Sequence, residues 1–503
     1  MSAKALYQRL ANERETVLGV ARRCAALTIP AVLPPDGTDN SSPPKTPYQA
    51  LGAYCVNNLA AKVMLALYPQ GTSFFRLVIP ESVSAASDIP PEQRAEIVKR
   101  LAGIENRALQ KFEASVVRAQ KTEVILHLIV TGNVLTYFRG LDKFRVFRLD
   151  QYVCKRDASG NPLDVVVHET VPPTEFTADE RVALNIPPEQ KKAVSVYTHV
   201  TWSDGRCRWH QEVNDKVVPG SAGSSPVESS PWNPLRWKAV PGMDYGRGHC
   251  EEYLGDLLSL EGLSQAIVEF AAVASKILLV VKPGAQTNVG EVNRARSGDA
   301  ITGSLDDIGI LQLDKYADFQ VVQRVKAEIE ERVSRAFLLR SGVTRDAERV
   351  TAEEVRGTAQ ELEDALGGVY TVLAMEEQYP FVRRLLAVLT KDRVIPALPQ
   401  GAVEPTVVTG FQALGRNHEL NRIRGFVGDL TSMFGPEATA RYINLSDIAA
   451  RLASGWGVTA ATSLIKSADT IAAEDAAAQQ AAMAQTVLEK GTAPAVSAMA
   501  APQ

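Results

Sequence analysis

Two long helical stretches, separated by a short segment of different pattern, constrain the fold of this chain most strongly. Residues 250–275 form a helical pattern with a wide apolar surface, which indicates burial on more than one side. Residues 318–339 form a second helical pattern, whose apolar stripe is narrow. Between them, the aliphatic runs Ile277–Val281 and about Ile308–Leu313 predict two strands, with a turn at Pro283-Gly284 after the first. We therefore predict two long helices joined by a small mixed unit.

The charges of the second helix favour packing against other helices. Its stripe is flanked by opposite charges at i,i+4 spacing, in the pairs Arg324/Glu328, Glu328/Arg332 and Glu331/Arg335. A narrow stripe bordered by such pairs is typical of helices that pack against neighbouring helices in an assembly. An ordinary amphipathic helix of a monomer fits the same residues about equally well.

Before these helices, the chain predicts a helical third followed by a β-rich region. Thr46-Pro47 supplies a helix start, and helical spacing then continues to Pro69. Further helices are predicted over about 91–117 and 122–130. Residues 133–245 alternate as strands do, and Asp204-Gly205 between two apolar runs predicts a hairpin turn.

After residue 340, the helical signal returns and then fades. Ser341–Arg349 is a polar break, after which Thr351 and Glu354 form the spacing of a capping box. Beyond about residue 467 the chain becomes rich in Ala and Gln, which predicts weak helix ending in a disordered tail. The predicted fold class is mixed α+β and predominantly helical.

The composition of the chain excludes several classes of protein. With 503 residues, 45% of them hydrophobic, it is long enough for about three globular units and apolar enough to bury a core. Its 54 basic and 58 acidic residues argue against a DNA-binding protein that works through a basic patch. The N-terminus is rich in charge, and no apolar run is long enough to span a membrane, so we predict synthesis in a cytoplasm. The cysteines are widely spaced, which predicts reduced thiols: Cys24, Cys55, Cys154, Cys207 and Cys250.

A search for catalytic and metal-binding patterns gives no convincing site. The chain lacks both the phosphate-binding P-loop and the Gly-x-Ser-x-Gly elbow. Gly246-Arg247-Gly248 is better explained as a chain reversal than as a dinucleotide loop. Cys207 and His210 point to opposite faces of a predicted strand, so packing explains them better than a metal does. His127 lies on an apolar face and is interpreted as a core residue whose hydrogen bonds are satisfied.

The carboxylate cluster Glu361, Glu363 and Asp364 is the strongest catalytic candidate. Because charged runs on helices are usually solvated faces, we interpret the cluster in that way. The sequence therefore predicts no enzyme, no catalytic residue, no metal and no cofactor.

Several strings occur in a recognisable order along residues 5–425: Asn57–Pro69, Gly132–Leu135, Tyr245–Arg247 running into Glu251–Leu257, Glu348–Arg356, and Glu361–Tyr370. Together with the order of the helices, they resemble the portal proteins, or head-to-tail connectors, of short-tailed double-stranded DNA bacteriophages. About 75 residues at the C-terminus show no such likeness.

The resemblance implies a portal fold with a wing, a stem, a clip and a helical crown. It assigns 1–249 to the wing, 250–275 and 318–340 to the stem helices, 276–317 to the clip, 341–350 to a tunnel loop, 351–440 to returning wing helices, and 441–503 to the crown and tail. It further implies a ring of twelve subunits at one capsid vertex of the virion, forming the channel for genome packaging and ejection.

Partners and sites follow from the same resemblance. The partners would be further copies of the chain, double-stranded DNA without sequence specificity, terminase, a tail adaptor protein, and the major capsid and scaffolding proteins. In the tunnel loop, Arg340, Arg345 and Arg349 would contact phosphates, although capping or ion pairing between subunits fits them equally well. In the clip, Lys282, Arg294 and Arg296 would contact the motor or the adaptor.

Two other functions fit the sequence less well. An oligomeric scaffold or membrane-peripheral assembly protein, with no DNA passage, would need an amphipathic helix with a basic polar face, and none is convincing. A metal-dependent DNA-processing enzyme would use the carboxylate cluster and would cleave DNA when supplied with a divalent metal.

Overall fold

The computed structural model describes most of the first 400 residues and little of the last hundred. The described residues are 2–38, 43–70, 73–79, 91–274, 278–284, 288–292, 294–296, 299–300, 302–304, 307–311, 316–339, 368–397, 403–407, 425–436, 439, 443, 448 and 477. The chain divides into two compact units rather than the three expected from its length: Met1–Val350 with Gly357–Thr409, and Thr351–Arg356 with Gly410–Gln503. Within the described ranges, no helix has the length and apolar character needed to span a membrane.

Eleven α-helices are found among the described residues up to 407, together with a π-helix at Ala374–Gln378. They are α1 Ala3–Leu27, α2 Leu51–Leu67, α3 Pro91–Glu113, α4 Val117–Thr131, α5 Ala178–Ala183, α6 His249–Glu252, α7 Leu254–Ala274, α8 Val289–Val292, α9 Tyr316–Ala336, α10 Gly368–Leu373 and α11 Tyr379–Lys391. With the strands below, they confirm the predicted mixed α+β class with helix predominating.

The strands of the described residues form four antiparallel sheets. They are β1 Phe75–Val78, β2 Asn133–Gly140, β3 Lys143–Phe147, β4 Tyr152–Arg156, β5 Pro162–Val171, β6 Val194–Ser203, β7 Arg206–Val213, β8 Lys216–Val217, β9 Gly223–Pro226, β10 Trp232–Arg236, β11 Leu278–Val281, β12 Ile308–Leu311 and β13 Glu404–Val407. The largest sheet has the order β4-β5-β6-β7-β8, with β9 also on β7, and the others are β10-β2-β3, β1-β13 and β11-β12.

Local turn chemistry explains two boundaries that the sequence predicts. Asp204 and Gly205 both have positive φ, and Ser203 pairs with Arg206 across the β6–β7 hairpin, as expected for an Asp-Gly turn. Gly132 ends α4 with φ of 76°, and a Cβ there would lie 2.4 Å from the amide nitrogen of Gly248. Only glycine fits that position, because the backbone is left-handed and the neighbouring chain is in contact.

The core of the first unit joins helices from distant parts of the sequence. Buried side chains of α1, α2, α4 and α6 pack with β2, β3 and α11 in one continuous cluster. Tyr68, Phe74, Phe112 and Phe381 meet there edge-to-face or tilted, with ring centroids 4.8–6.0 Å apart. His127 is buried, as its position on an apolar face predicts, but its Nδ1 has no hydrogen-bond partner among the described residues, so the expectation that its hydrogen bonds are satisfied is wrong.

Several predicted helix boundaries are wrong. The helix predicted over 250–275 is divided at Tyr253, whose ring packs against His249 and Phe337. The second long helix begins at Tyr316 and ends at Ala336 rather than near residue 339. The helix α2 begins at Leu51, because Gln49 rather than Thr46 accepts the hydrogen bond from an amide of the first turn, that of Gly52.

Candidate functional site

The two long helices α7 and α9 pack antiparallel and form what we call the helical hairpin. Near one end, Arg332 donates two hydrogen bonds to the Asp256 carboxylate, at 2.6 and 2.8 Å. Near the other end, the rings of Phe270 and Phe319 stack with centroids 5.1 Å apart. At the base, the buried residues Leu257 and Leu260 of α7 and Ile329 and Val333 of α9 belong to the main core. The hairpin is therefore rooted in the first unit and extends away from its core.

The charged side chains of α9 form only some of the ion pairs that the sequence predicts. Glu331 and Arg335 form the predicted i,i+4 pair at 2.6 Å. Arg332, predicted to pair with Glu328, bonds instead across the hairpin to Asp256, and this hydrogen bond raises the pKa of the guanidinium. Val325, assigned to the apolar stripe, is exposed.

The strands β11 and β12 extend the hairpin at its far end. Leu278 pairs with Leu311 and Val281 with Ile308, so the two arms remain antiparallel and in step from the helices into the strands. The next amide along, that of Lys282, donates to the carbonyl of Asp307 at 3.0 Å. The two predicted strands are confirmed, and the structure shows that they pair with each other.

The three basic residues predicted for partner binding lie in the segment between these strands. Lys282, Arg294 and Arg296 are all exposed. Their backbones are held locally, because the amide of Arg294 donates to the Glu291 carbonyl and that of Arg296 donates to the Asp299 carboxylate at 2.7 Å. The structure thus presents these side chains to solvent from fixed positions, and their role stays a prediction.

Three side chains hold the C-terminal end of α9. A helix leaves its last carbonyls without partners inside the helix, and here they accept from other elements. Asn58 donates to the carbonyls of Phe337 and Leu338 at 3.1 Å each, and Lys62 donates to Leu338 at 2.8 Å. The buried His249 donates from Nε2 to the Ala336 carbonyl at 3.0 Å, and burial lowers its pKa, which favours the neutral ring.

The segment that follows residue 367 is fixed by a buried ion pair. Glu377 lies in the π-helix and pairs with Lys121 of α4, and both side chains are 3% exposed. Tyr68 donates to the same carboxylate at 2.5 Å. The Lys121 ammonium lies 3.7 Å from the ring centroid of Phe381. Burial lowers the pKa of Lys121, opposed by Glu377, and burial also raises the pKa of Tyr68.

The residues on either side of Glu377 bind elsewhere. Glu376 pairs with Arg236 at 2.5 Å, and its carbonyl accepts from Asn233 at 2.9 Å. The buried Gln378 donates to the carbonyl of Leu67 at the end of α2. A π-helix points consecutive side chains in directions different from those of an α-helix with the same sequence. Here Glu376, Glu377 and Gln378 each bind a different partner.

Several predicted residues lie outside the described part of the chain. They are the tunnel-loop arginines Arg340, Arg345 and Arg349, the carboxylates Glu361, Glu363 and Asp364, and the cap residues Thr351 and Glu354. Among the residues that are described, no three His, Cys, Asp or Glu side chains group as metal ligands. The thiols are buried, and burial raises the pKa of Cys24 and Cys55 to about 12, which makes them unreactive.

Sequence reasoning missed the anchors at both ends of this site. Asn58 and Lys62 stand at i,i+4 in a largely apolar helix, and that spacing of two polar side chains is the signal that could have identified them. Lys121 and Glu377 are 256 positions apart, and nothing in the local pattern of either links the two.

Comparison with known proteins gives one consistent result. A sequence model of the family described as "Bacteriophage head to tail connecting protein" matches residues 1–463. The portal protein of Escherichia phage T7 is 40% identical over 466 residues, covering 91% of this chain and 87% of the relative. The portal protein of Enterobacteria phage T3 is 39% identical over 465 residues, covering 91% and 86%.

Similarity to solved structures is weak in both fold and sequence. A chain from the neck of an empty GTA particle, computed with C6 symmetry, has a TM-score of 0.38 and 13% identity, covering 81% of this chain and 90% of that chain. We draw no argument from so distant a likeness.

Proposed function

Since this chain belongs to the family of bacteriophage head-to-tail connecting proteins, we propose that it assembles into a closed ring at one capsid vertex and forms the channel for genome packaging and ejection. The likeness to the phage T7 portal protein, which extends over most of both chains, is the observation that carries the proposal. The role is structural, at the head-to-tail junction of a virion, and the chain catalyses no reaction in it.

The surface of the helical hairpin supports assembly into a ring. Apolar side chains stand 40–62% exposed along it: Leu258, Val268, Val321 and Val325. The only charged residues of α7 are three acids, and each is bonded within the chain. Asp256 binds Arg332, Glu261 accepts from the amide of Tyr48, and Glu269 accepts from Gln265. An apolar surface of this kind is suited to being covered by a neighbouring copy, with the helical hairpins forming the stem.

The charges near α9 support a channel through which DNA slides. Between residues 320 and 356 there are 8 basic and 7 acidic residues, a net charge of +1. On α9, Lys326, Arg332 and Arg335 are each paired with a carboxylate. A nearly neutral wall avoids the tight phosphate binding that a strongly basic one would give. Arg340, Arg345 and Arg349 would then supply weak contacts to DNA that do not depend on sequence.

The segment between β11 and β12 would be the clip, the docking site for terminase and later for the tail adaptor. The exposed Lys282, Arg294 and Arg296 would steer these partners. The remaining parts of the chain would form the wing and crown and contact the major capsid and scaffolding proteins.

Native mass spectrometry with negative-stain imaging tests the ring. We expect a closed assembly of about twelve copies with a central hole wide enough for duplex DNA. The variant Leu258→Asp places a charge on the apolar surface and should prevent closure. Its neighbour Ser259→Asp is the matched control, because Ser259 is also exposed on α7 but polar. A compact native assembly without a hole would contradict the proposal.

Packaging assays test the arginines and the clip separately. Arg340→Gln, Arg345→Gln and Arg349→Gln combined should reduce DNA retention in filled heads while leaving ring assembly intact. Lys282→Gln with Arg294→Gln and Arg296→Gln should slow terminase association, most strongly at low salt. Unchanged DNA retention would refute the role of the tunnel-loop arginines, and a loss of terminase binding without salt dependence would refute steering by the clip.

A further inference from the structure

A pocket of about 400 Å³ lies at one end of the largest sheet, outside the helical hairpin. Its walls are the turn between β4 and β5, the turn between β6 and β7, residues in the range 227–234, and Pro380 of α11. Pockets that bind ligands commonly have volumes of about 300–1,000 Å³. This pocket therefore has room for one or two side chains of a bound partner.

Much of the lining is apolar, and it includes two indole rings, those of Trp202 and Trp232. Trp232 is 6% exposed and packs against Tyr137, with ring centroids 4.2 Å apart, so that the core holds this part of the wall in place. Leu163 and Val227 also line the pocket and are 41% and 42% exposed. A bound partner would remove this apolar surface from water, which is favourable.

The charged side chains in the lining are both acidic. They are Asp157 and Asp204, and no basic side chain of the described residues lines the pocket with them. The Asp157 carboxylate accepts from the side chain and the amide of Asn161 at 3.0 and 2.8 Å, and these hydrogen bonds lower its pKa. Asp204 has φ of 52° in the turn between β6 and β7. Each carboxylate is therefore carried by a tight turn that fixes its backbone.

Arginines close to the lining already have acceptors elsewhere. Arg156 donates to three backbone carbonyls, and Arg236 pairs with Glu376. Arg208 donates to a serine hydroxyl at 2.8 Å and lies 3.5 Å from the Asp204 carboxylate, a distance at the limit of a hydrogen bond. The Asp204 side chain is 81% exposed, so a second cation can reach it from solvent. The pocket thus combines accessible negative charge with aromatic and aliphatic surface.

We propose that this pocket binds an arginine side chain from a basic segment of a partner protein. The guanidinium stacks on the ring of Trp202 and donates to Asp157 or Asp204. Its aliphatic stem covers Leu163 and Val227. Arginine fits better than lysine, because a planar cation can stack on an indole and bond to a carboxylate at the same time. The proposal goes beyond the proposed function, since it does not depend on a ring or on DNA.

A short peptide tests the pocket in the full native chain. The probe has the sequence Ala-Arg-Ala followed by benzoylphenylalanine, with both ends blocked. Its matched control carries citrulline in place of arginine, which keeps the shape of the side chain and removes its charge. Isothermal titration calorimetry at low salt should show that the arginine peptide binds about tenfold more tightly, because the control loses a hydrogen bond between charged groups. Equal affinities for the two peptides would overturn the proposal without any change to the protein.

Variants of the lining show which groups the peptide uses. Asp157→Asn with Asp204→Asn removes both charges and should abolish the preference for arginine over citrulline. Asp215→Asn is the matched control, because Asp215 is an exposed carboxylate with positive φ in the turn between β7 and β8, outside the pocket. It should keep the tenfold preference. A preference that survives in the double variant would contradict the proposal, as would one that is lost in Asp215→Asn.

The benzoylphenylalanine of the same peptide locates the contact and identifies its source. Irradiation followed by mass spectrometry should place cross-links within residues 157–163, 202–205 or 227–234, and cross-links confined to other segments would refute the site. The titration is repeated on the assembled ring and on the chain kept dissociated by Leu258→Asp. Binding to both supports docking of a second protein. Binding to the dissociated chain alone would show that a neighbouring copy fills the pocket, against the proposal. If no ring forms, the proposed function fails, and the comparison of arginine with citrulline still decides the pocket.

Discussion

The buried pair Lys121–Glu377 gives the sharpest prediction about stability. In Lys121→Met, Glu377 keeps the hydrogen bond from Tyr68 but loses the ammonium with which it pairs, in a site that is 3% exposed. Removing one member of such a pair costs about 3–5 kcal/mol, because the remaining charge stays buried. Met keeps much of the contact with Phe381, so little of the loss comes from packing. We expect the free energy of unfolding to fall by about 4 kcal/mol.

The double variant Lys121→Met with Glu377→Leu distinguishes the ion pair from the packing around it. It removes both charges and leaves the Tyr68 hydroxyl without its acceptor, which costs about 1–3 kcal/mol. We therefore expect the double variant to be more stable than Lys121→Met alone. Lys155→Met is the control, since Lys155 forms a partly exposed pair with Asp244, and such pairs contribute about 1 kcal/mol or less.

Urea unfolding followed by tryptophan fluorescence measures these changes. Four of the five tryptophans, at positions 202, 209, 232 and 237, lie in the first unit, so the signal reports mainly on it. All variants are compared at one protein concentration, because association with further copies raises apparent stability. A loss below about 1 kcal/mol in Lys121→Met would refute the reasoning, as would a double variant less stable than the single one.

Two further predictions concern backbone geometry and alkaline pH. Gly132→Ala should lower the melting temperature, since its Cβ would lie 2.4 Å from the Gly248 amide nitrogen. The control Gly262→Ala lies in the middle of α7, where a Cβ meets no other atom, and should raise the free energy of unfolding by about 0.5–1 kcal/mol. A Gly132→Ala variant as stable as the native chain would contradict the close contact. Burial raises the pKa of Cys24 and Cys55 from 9.0 to about 12, so between these pH values the unfolded chain loses protons that the folded chain keeps. The free energy of unfolding should therefore fall as pH rises above about 9, and less steeply in Cys24→Ala with Cys55→Ala; equal slopes would contradict this account.

Local signals predicted the parts of the fold that depend on neighbouring residues. The Asp204-Gly205 turn, the end of α4 at Gly132 and the existence of strands β11 and β12 all follow from short-range backbone preferences and apolar runs. The resemblance carried by strings such as Asn57–Pro69 identified the family, which periodicity alone could not have done.

Features fixed by contacts between distant residues were not predictable. The helix α2 begins at Leu51 and not at the predicted Thr46-Pro47, because the amides of Tyr48 and Gln49 donate to the Glu261 carboxylate on α7. The strand β1 pairs with β13, more than 300 residues later, and neither carries a long alternating pattern. The π-helix is equally invisible in sequence, since its geometry depends on where Glu376 and Glu377 find their partners.

The equal lengths of α7 and α9 limit which insertions and deletions the helical hairpin can accept. Each helix has 21 residues, and the contacts from Asp256–Arg332 to Leu278–Leu311 stay in step along both arms. Adding residues to one helix alone would shift β11 against β12, and a shift of one residue would turn every following side chain to the opposite face. Lengthening both helices by a full turn would instead move the strands outward by about 5.4 Å with their pairing kept. Insertions and deletions in one arm should therefore be tolerated only with matching changes in the other.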